Sequence, residues 1–314
     1  MQADQILKQI EAASDALLTS KARAYLGPSS LGTCKRATWY KFRQAHVVRH
    51  GGRMLRLFNR GHLEEDRICR WLLAAGWGVR PTRERLVQDG RGWYFTVPWD
   101  QPFEGTDVSC VGAHRDAAAA RGVRVGQWAF SRLGGHYKGH SDGRVCPPAE
   151  AIGGAPSWGL LEAKTHNAKS FARLRVKGVL SSKPEHVQQM QAYMHEFGLP
   201  WALYVAVCKD DDDIYVEVLP ARPELGAALQ DVAAAIIQAN EPPVKYSPDP
   251  SWFVCKFCDF REICHYGKPP AKSCRTCVFS RADVDEGGWY CQHWHQKIPA
   301  GAVAAGCDLW EPHK

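Results

Sequence analysis

The segment from 250 to 314 carries Cys255, Cys258, Cys264, Cys274, Cys277, Cys291 and Cys307 but no long stretch of helical or strand periodicity. A segment of that size and texture cannot bury enough apolar surface to hold itself together, so it needs cross-links. The 12 cysteines of the chain include Cys-x-x-Cys pairs. The N-terminal MQADQILKQIEAASD is polar and amphipathic, unlike the basic-then-apolar text of an export signal. Metal ligation is therefore the expected cross-link, ahead of disulfides. No run approaches the roughly 18 uninterrupted apolar residues that span a bilayer, so no membrane partner and a cytoplasmic location are expected. The chain is expected to divide into a core over 1–268 and a small metal-binding module over 269–314.

Upstream, the pattern is that of a mixed α/β domain. Ile6, Ile10, Ala13 and Leu17 predict a helix, and a Gly-Pro-Ser-Ser break precedes Cys34 and a short helix, ATWYKFRQA. Leu55, Phe58, His62, Glu65 and Cys69 recur three or four apart in a long helix that stops at Gly76 and puts His62 and Glu65 on one face. From 84 to 146, short alternating runs broken by glycines read as antiparallel strands, and WGLLEAKT reads as a further strand. Pro184 opens a helix with a buried stripe of Val187, Met190, Met194 and Phe197. WALYVAVC, four aspartates and IYVEVL form a hairpin, and an alanine-rich helix over 222–239 ends before Pro242 and Pro243. A mixed central sheet flanked by helices follows, with a cysteine-rich C-terminal module beside it.

In a strand, residues two apart share a face, so Glu162 and Lys164 point one way and Leu161 and Ala163 the other. Together with Asp142 of GHSDGRV they supply what phosphodiester cleavage requires: hard oxygen ligands for Mg2+ or Mn2+, a positive group near the reacting phosphate, and a means of aligning water. Blander readings also fit each residue alone. Glu162 and Lys164 would be a surface ion pair, Asp142 a turn residue before Gly143, and His62 a satisfied helix histidine.

The ordered set of His62 on a helix, GHSDGRV with Asp142, Glu162-Ala163-Lys164, and Gln189-Met190-Gln191-Ala192-Tyr193 resembles the PD-(D/E)XK nucleases of the RecB-like branch. That resemblance implies a restriction-endonuclease-like core. It also implies a divalent ion held by His62, Asp142, Glu162 and the carbonyl of Ala163, with Glu65 as an additional ligand. Lys164 would orient or activate water, and Gln189 and Tyr193 would brace the Lys164 region and contact DNA. Ser141 stands where the family motif has proline.

Cys34, far upstream, together with Cys255, Cys258 and Cys264 resembles the ligand set of the iron-sulfur nucleases of that branch, among them the AddB nuclease domain and its CRISPR-associated and phage-encoded relatives. Four thiolates hold either a [4Fe-4S] cluster or zinc, and the split between one distant cysteine and a compact triplet favours iron. The alternative is a free Cys34 and a zinc-binding triplet completed by His265. Cys274, Cys277, Cys291 and Cys307 read as a second set, for Zn2+, with His293 and His295 as competing ligands and Trp289, Trp294 and Trp310 as shielding. Its role is left among DNA contact, protein docking and stability. Cys69, Cys110, Cys146 and Cys208 remain as buried or partly buried thiols.

The net charge of +7 fits a polyanionic partner without requiring one. Arg49, Arg53, Arg56, Arg60, Lys169, Arg173, Arg175, Lys177 and Lys183 flank the catalytic motifs and could line a phosphate track. Trp39, Tyr40 and Tyr137 suit core packing better than base stacking. The leading expectation is an exonuclease acting on DNA ends, single-stranded by preference, in phage recombination, repair or foreign-DNA processing. The alternatives are a silent DNA-binding or scaffold subunit that retains the fold, and an iron or redox sensor.

Overall fold

A computed structural model describes residues 3–17, 23–47, 50–108, 122–123, 126–148 and 157–313. The chain divides into two compact units, each assembled from separated stretches. One comprises Met1–Thr19, His50–Phe130 and His140–Gly226, and the other Ser20–Arg49, Ser131–Gly139 and Ala227–Lys314. The division expected at 268/269 thus falls inside the second unit, and Cys34 shares that unit with every cysteine of the tail. The physical reason lies at Trp39 and Arg43. Trp39 donates its indole N–H to the Ala239 carbonyl at 3.0 Å, and Arg43 donates to the carbonyls of Ala239 and Arg275.

The strands in chain order are β1 (Gly78–Arg80), β2 (Glu84–Gln88), β3 (Tyr94–Pro98), β4 (Thr106–Asp107), β5 (Ala129–Arg132), β6 (Tyr137–His140), β7 (Gly143–Cys146), β8 (Gly159–His166), β9 (Trp201–Cys208), β10 (Ile214–Pro220), β11 (Ser280–Ala282), β12 (Trp289–Cys291) and β13 (Gln296–Ile298). In the first unit β1-β7-β8-β9-β10 form the mixed central sheet, antiparallel except for the β8/β9 pair, in which Glu162 is level with Tyr204. A parallel pair needs a crossover, and the helices Ala168–Ser182 and Pro184–Phe197 provide it. Asn167 caps the first of these by accepting from Ser170 N–H at 2.9 Å. Pro184 starts the second, and Gly198 ends it in the left-handed region at φ +63°. β2, β3 and β4 form a small antiparallel sheet of their own.

One face of the central sheet packs against the helix Gly52–Ala74. Leu161, Ala163, Leu203, Val205 and Val207 meet Ile68 and Cys69 there, with Val79 and Val145. These are the alternate residues of β8 and β9, so their burial fixes the register and sends Glu162 and Lys164 to the opposite face. The expected helices lie where periodicity put them, at Ala3–Leu17, Lys35–Phe42, Gly52–Ala74, Pro184–Phe197 and Pro223–Gln238. The four aspartates between β9 and β10 are tied down locally. Asp212 pairs with Arg67 at 3.0 Å, Asp213 pairs with Arg175, and Asp210 accepts from Ala168 N–H at 2.7 Å.

In the second unit β11-β12-β13 form a three-stranded antiparallel ribbon, and the short helices Phe253–Lys256 and Arg261–Tyr266 carry the first cysteine triplet. Trp39, Tyr40 and Tyr137 are each at most 2% exposed, so they are core residues and not a stacking surface. Among the described residues no helix is long and apolar enough to cross a membrane.

Candidate active site

Asp142 sits in the turn that leads into β7. Gly143 follows it at φ +150°, and a Cβ there would stand 3.0 Å from the Cα of Pro81. Only glycine fits that turn without displacing β1. The turn aims the Asp142 carboxylate across the β7/β8 pairing, where Oδ2 accepts the Ala163 backbone N–H at 2.9 Å. Glu162, whose side chain is wholly buried, and Lys164 project from β8 on the face opposite Ala163. The Lys164 ammonium pairs with Glu162 Oε1, donates to the Ala163 carbonyl at 3.3 Å, and stands 3.9 Å from Asp142 Oδ2. Gln189, from the helix Pro184–Phe197, donates its amide N–H to Glu162 Oε1 at 2.7 Å. The other oxygen of Glu162, Oε2, is buried with no hydrogen-bond partner.

Glu65 completes the cluster. Burial first, and then the negative charge of Glu65, push the Asp142 carboxyl well above its ordinary range, against the pull of Lys164. Burial likewise raises Glu162, again opposed by Lys164. Burial alone would depress Lys164, but Glu162 and Asp142 outweigh it and hold the side chain protonated far above its usual value. Asp142 and Glu162 thus share the Lys164 ammonium, and the negative charge of Glu65 acts on all three.

His62 lies one turn before Glu65 with its Nδ1 3.4 Å from Glu65 Oε1, and its side chain is 40% exposed. Its visible link to the cluster runs through Glu65. Tyr193, expected to brace Lys164, instead grips the backbone of His140, two residues before Asp142. Its hydroxyl donates to the His140 carbonyl at 2.7 Å and accepts from the His140 N–H at 3.1 Å. At 5% exposure Tyr193 is a buried strut.

Strand period two continues from Lys164 to His166, which no motif in the sequence marks. His166 Nε2 and His186 Nδ1 each lie 2.9 Å from the Tyr204 hydroxyl, and Ser170 Oγ lies 3.3 Å from His166 Nδ1. Burial, reinforced by Lys183 and Lys164, lowers His166 to about 4, and burial with Lys164 lowers His186 to about 3. This neutral array borders the acidic cluster on the same face of the sheet.

Part of the expected phosphate track is engaged within the protein. Arg60 donates to the Lys209 carbonyl at 2.8 Å, Arg56 to Ser14 at 3.2 Å, and Arg175 pairs with Asp213. Arg53, Lys169, Arg173 and Lys177 are exposed, Lys183 is half-buried, and Arg49 lies outside the described residues, as does Cys110. Cys69 and Cys208 are buried and Cys146 is partly so.

In the second unit Cys34, Cys255, Cys258 and Cys264 line one small cavity with Tyr40 and His265. Burial pushes the Cys258 and Cys264 thiols up, and the neighbouring cysteines add to it. Cys274, Cys277, Cys291 and Cys307 line a second cavity with Trp294, Trp310 and His293, while His295 is not among its walls. Each cysteine set is thus brought to its own cavity. Among the described residues, no group of three or more His, Cys, Asp or Glu side chains is drawn close enough to hold a metal ion as it stands.

No protein-family model and no curated protein matches the sequence. Among solved structures, the chain is similar to the protein SSO0001, with 14% identity over 84% of this chain and 96% of that one and a TM-score of 0.39. It is also similar to LHK-Exo, an alkaline exonuclease from Laribacter hongkongensis, at 16% identity over 73% of this chain and 90% of that one. The TM-score is 0.38 for the LHK-Exo complex with dAMP and 0.36 for a second structure of the same enzyme. A likeness of this order fixes no chemistry for this chain.

Proposed function

We propose that the chain is a metal-dependent deoxyribonuclease of the PD-(D/E)XK kind that hydrolyses phosphodiester bonds from DNA ends, with single-stranded ends as preferred substrate. The observation that carries the reading is Asp142 and the wholly buried Glu162 gathered around Lys164, with the charge of Glu65 acting on all three and Glu162 Oε2 without a hydrogen-bond partner. An orphaned carboxylate oxygen in an acid-rich pocket suits a hard divalent cation.

Asp142, Glu162 and the Ala163 carbonyl would hold Mg2+ or Mn2+, with His62 and Glu65 completing the set from the helix Gly52–Ala74. When bound, the ion supplies Lewis-acid stabilisation of charge developing on the phosphate oxygens. The remaining work falls to the chain. Lys164 holds its proton firmly and is suited to orient water and to place positive charge beside the reacting phosphate. Gln189 fixes Glu162 Oε1 by hydrogen bonding, which leaves Oε2 as the free donor oxygen. Tyr193 fixes the backbone that leads into Asp142. The exposed Arg53, Lys169, Arg173 and Lys177 offer salt-dependent attraction for DNA phosphates.

Cys34, Cys255, Cys258 and Cys264 would hold a [4Fe-4S] cluster, whose thiolate donor set the shared cavity matches. Its part would be structural, closing a loop that runs from Cys34 to the C-terminal triplet. Roles in phage recombination, repair or foreign-DNA processing all suit such an enzyme.

The test is degradation of end-labelled single strands in Mg2+ or Mn2+, with Glu162→Ala alongside. Loss of product with retained DNA binding supports the reading. Unchanged cleavage in the variant removes this site from the chemistry, and binding without any cleavage by the native chain points to a silent subunit.

A further inference from the structure

The second unit buries a guanidinium with no acid beside it. Arg43 is 0% exposed. It donates to the Arg275 carbonyl at 2.9 Å, to Ser280 O at 3.3 Å and to Ala239 O at 3.2 Å, and it lies over the rings of Trp39 at 4.5 Å and Trp289 at 5.3 Å. Two more arginines crowd the same spot. Arg281 donates to the same Ser280 carbonyl at 3.0 Å, and Arg275 lies over the same Trp289 ring at 5.1 Å. Among the described residues no carboxylate comes within ion-pair distance of Arg43, Arg275 or Arg281. Carbonyls and rings ease such a charge but do not cancel it, and cations gathered in a buried place repel one another.

Cys277 is the acidic group that acts on both Arg43 and Arg281, with Glu241 adding to it at Arg281. The carbonyls of Arg275 and Ser280 that Arg43 holds bracket Cys277, and the Cys277 carbonyl accepts the Ser280 N–H at 3.1 Å. Cys274 and Cys277 sit on a tight turn, with Cys277 N–H donating to Cys274 O at 3.3 Å, and Cys291 ends β12 of the adjoining ribbon. This is the knuckle-and-ribbon arrangement that suits a tetrahedral ion. Ser280 lines the same cavity at 1% exposure, and its hydroxyl has no hydrogen-bond partner. An O–H donor left over beside four sulfurs is what a thiolate would use. The competing ligand His293 is packed in an aromatic corner, 5.3 Å from Phe279 in a tilted contact and 4.8 Å from Trp294 edge-on, ring centre to ring centre.

We infer that Cys274, Cys277, Cys291 and Cys307 bind one Zn2+ as a tetrathiolate, and that Arg43, with Arg275 and Arg281 beside it, is the built-in counter-charge of that centre. The balance is explicit. One Zn2+ and four thiols give a tetrathiolate complex with two net negative charges and release four protons. Those charges offset the buried Arg43 guanidinium and the half-buried arginines beside it, which neutral thiols cannot do. The site is thereby selective for a thiolate set: replacing a cysteine by histidine removes negative charge that the arginines need.

The experiment takes the full chain purified with both metals present in the medium and counts zinc, iron and sulfide. Expected is one zinc per chain that disappears in Cys291→Ser while any iron count is unchanged. Exchange with Co2+ should give the charge-transfer spectrum of four thiolates. Arg43→Gln, which keeps donors and loses charge, should weaken zinc at least tenfold in chelator competition, and Arg43→Lys should recover most of it. Since loss of Arg43 can unfold the unit, Arg281→Gln, at a half-buried position, is measured in parallel and should weaken zinc in the same direction. Iron and sulfide at this set, no bound zinc, or a three-thiolate cobalt spectrum overturns the tetrathiolate zinc site. Unchanged affinity in both glutamine variants overturns the counter-charge. No readout depends on DNA cleavage, so the nuclease reading stands or falls separately.

Discussion

The Asp142 carboxylate accepts the backbone N–H of Ala163 at 2.9 Å, so the same side chain that faces the acidic cluster also clamps β7 to β8. Its two duties separate in Asp142→Asn. The amide oxygen can still accept from Ala163, while the charge that burial and Glu65 oppose is gone. Cleavage is expected to fall at least a hundredfold, with a melting temperature equal to or above that of the native chain. A large drop in melting temperature alongside the loss would mean that the clamp, and not the charge, had been removed.

Lys164→Met should destabilise the first unit by about 3–5 kcal/mol, because it strands buried carboxylates without their cation. Acid should partly reverse this. Glu162 and Asp142 already titrate above the usual carboxylate range, and without Lys164 they move higher. An acid raised in the folded state binds protons more tightly there than when unfolded. The variant therefore gains stability as pH falls through the folded values toward about 4. Calorimetry at pH 7.5 and 5.5 checks it: the gap to the native chain should narrow at the lower pH.

The histidine array runs the other way. His166 and His186 are held neutral, at about 4 and about 3, against an unfolded value near 6.5. Their contribution is complete above about pH 6.5 and is lost progressively as pH falls toward those lowered values, at up to roughly 3 kcal/mol each. Urea midpoints of the native chain should decline below pH 6.5, and His186→Gln should flatten that decline. An identical slope in the variant would exclude the array as the acid-sensitive element.

Tyr193→Phe removes both hydrogen bonds to His140 while keeping the ring stacked on Phe197 at a centroid distance of 6.0 Å. A stability loss of about 1–3 kcal/mol is expected from the two hydrogen bonds removed at a buried position. Turnover should fall about tenfold with little change in apparent DNA affinity, since the residue acts by setting where Asp142 points. Weakened binding at unchanged turnover would argue for direct DNA contact instead.

What the sequence made legible followed from local periodicity. Strand alternation put Glu162 and Lys164 on one face, helix spacing put Glu65 one turn after His62, and thiolate spacing grouped the C-terminal cysteines, while Cys34 joined the triplet only through the family resemblance. What escaped depended on register between distant segments. Tyr204 meets His166 and His186 because β9 runs parallel to β8 with Glu162 level with Tyr204, and nothing in either strand alone announces that pairing. The same holds for Gln189, whose partner is Glu162 and not the Lys164 region at large. Residues 20–49 join the C-terminal stretch through Trp39 and Arg43, contacts about two hundred positions apart in the chain, so no local signal marks the boundary between the two units.

The order of synthesis gives the second unit a timetable. Cys34 leaves the ribosome long before Cys255, Cys258 and Cys264, and Arg43 long before the carbonyls of Arg275 and Ser280 that receive it. The first cavity has all its walls only once His265 is made, and the second only once Trp310 is made. Any metal held by the second set would therefore load only after Trp310 has been made, and truncations near the C-terminus should leave a short helix from the N-terminal region without its neighbours.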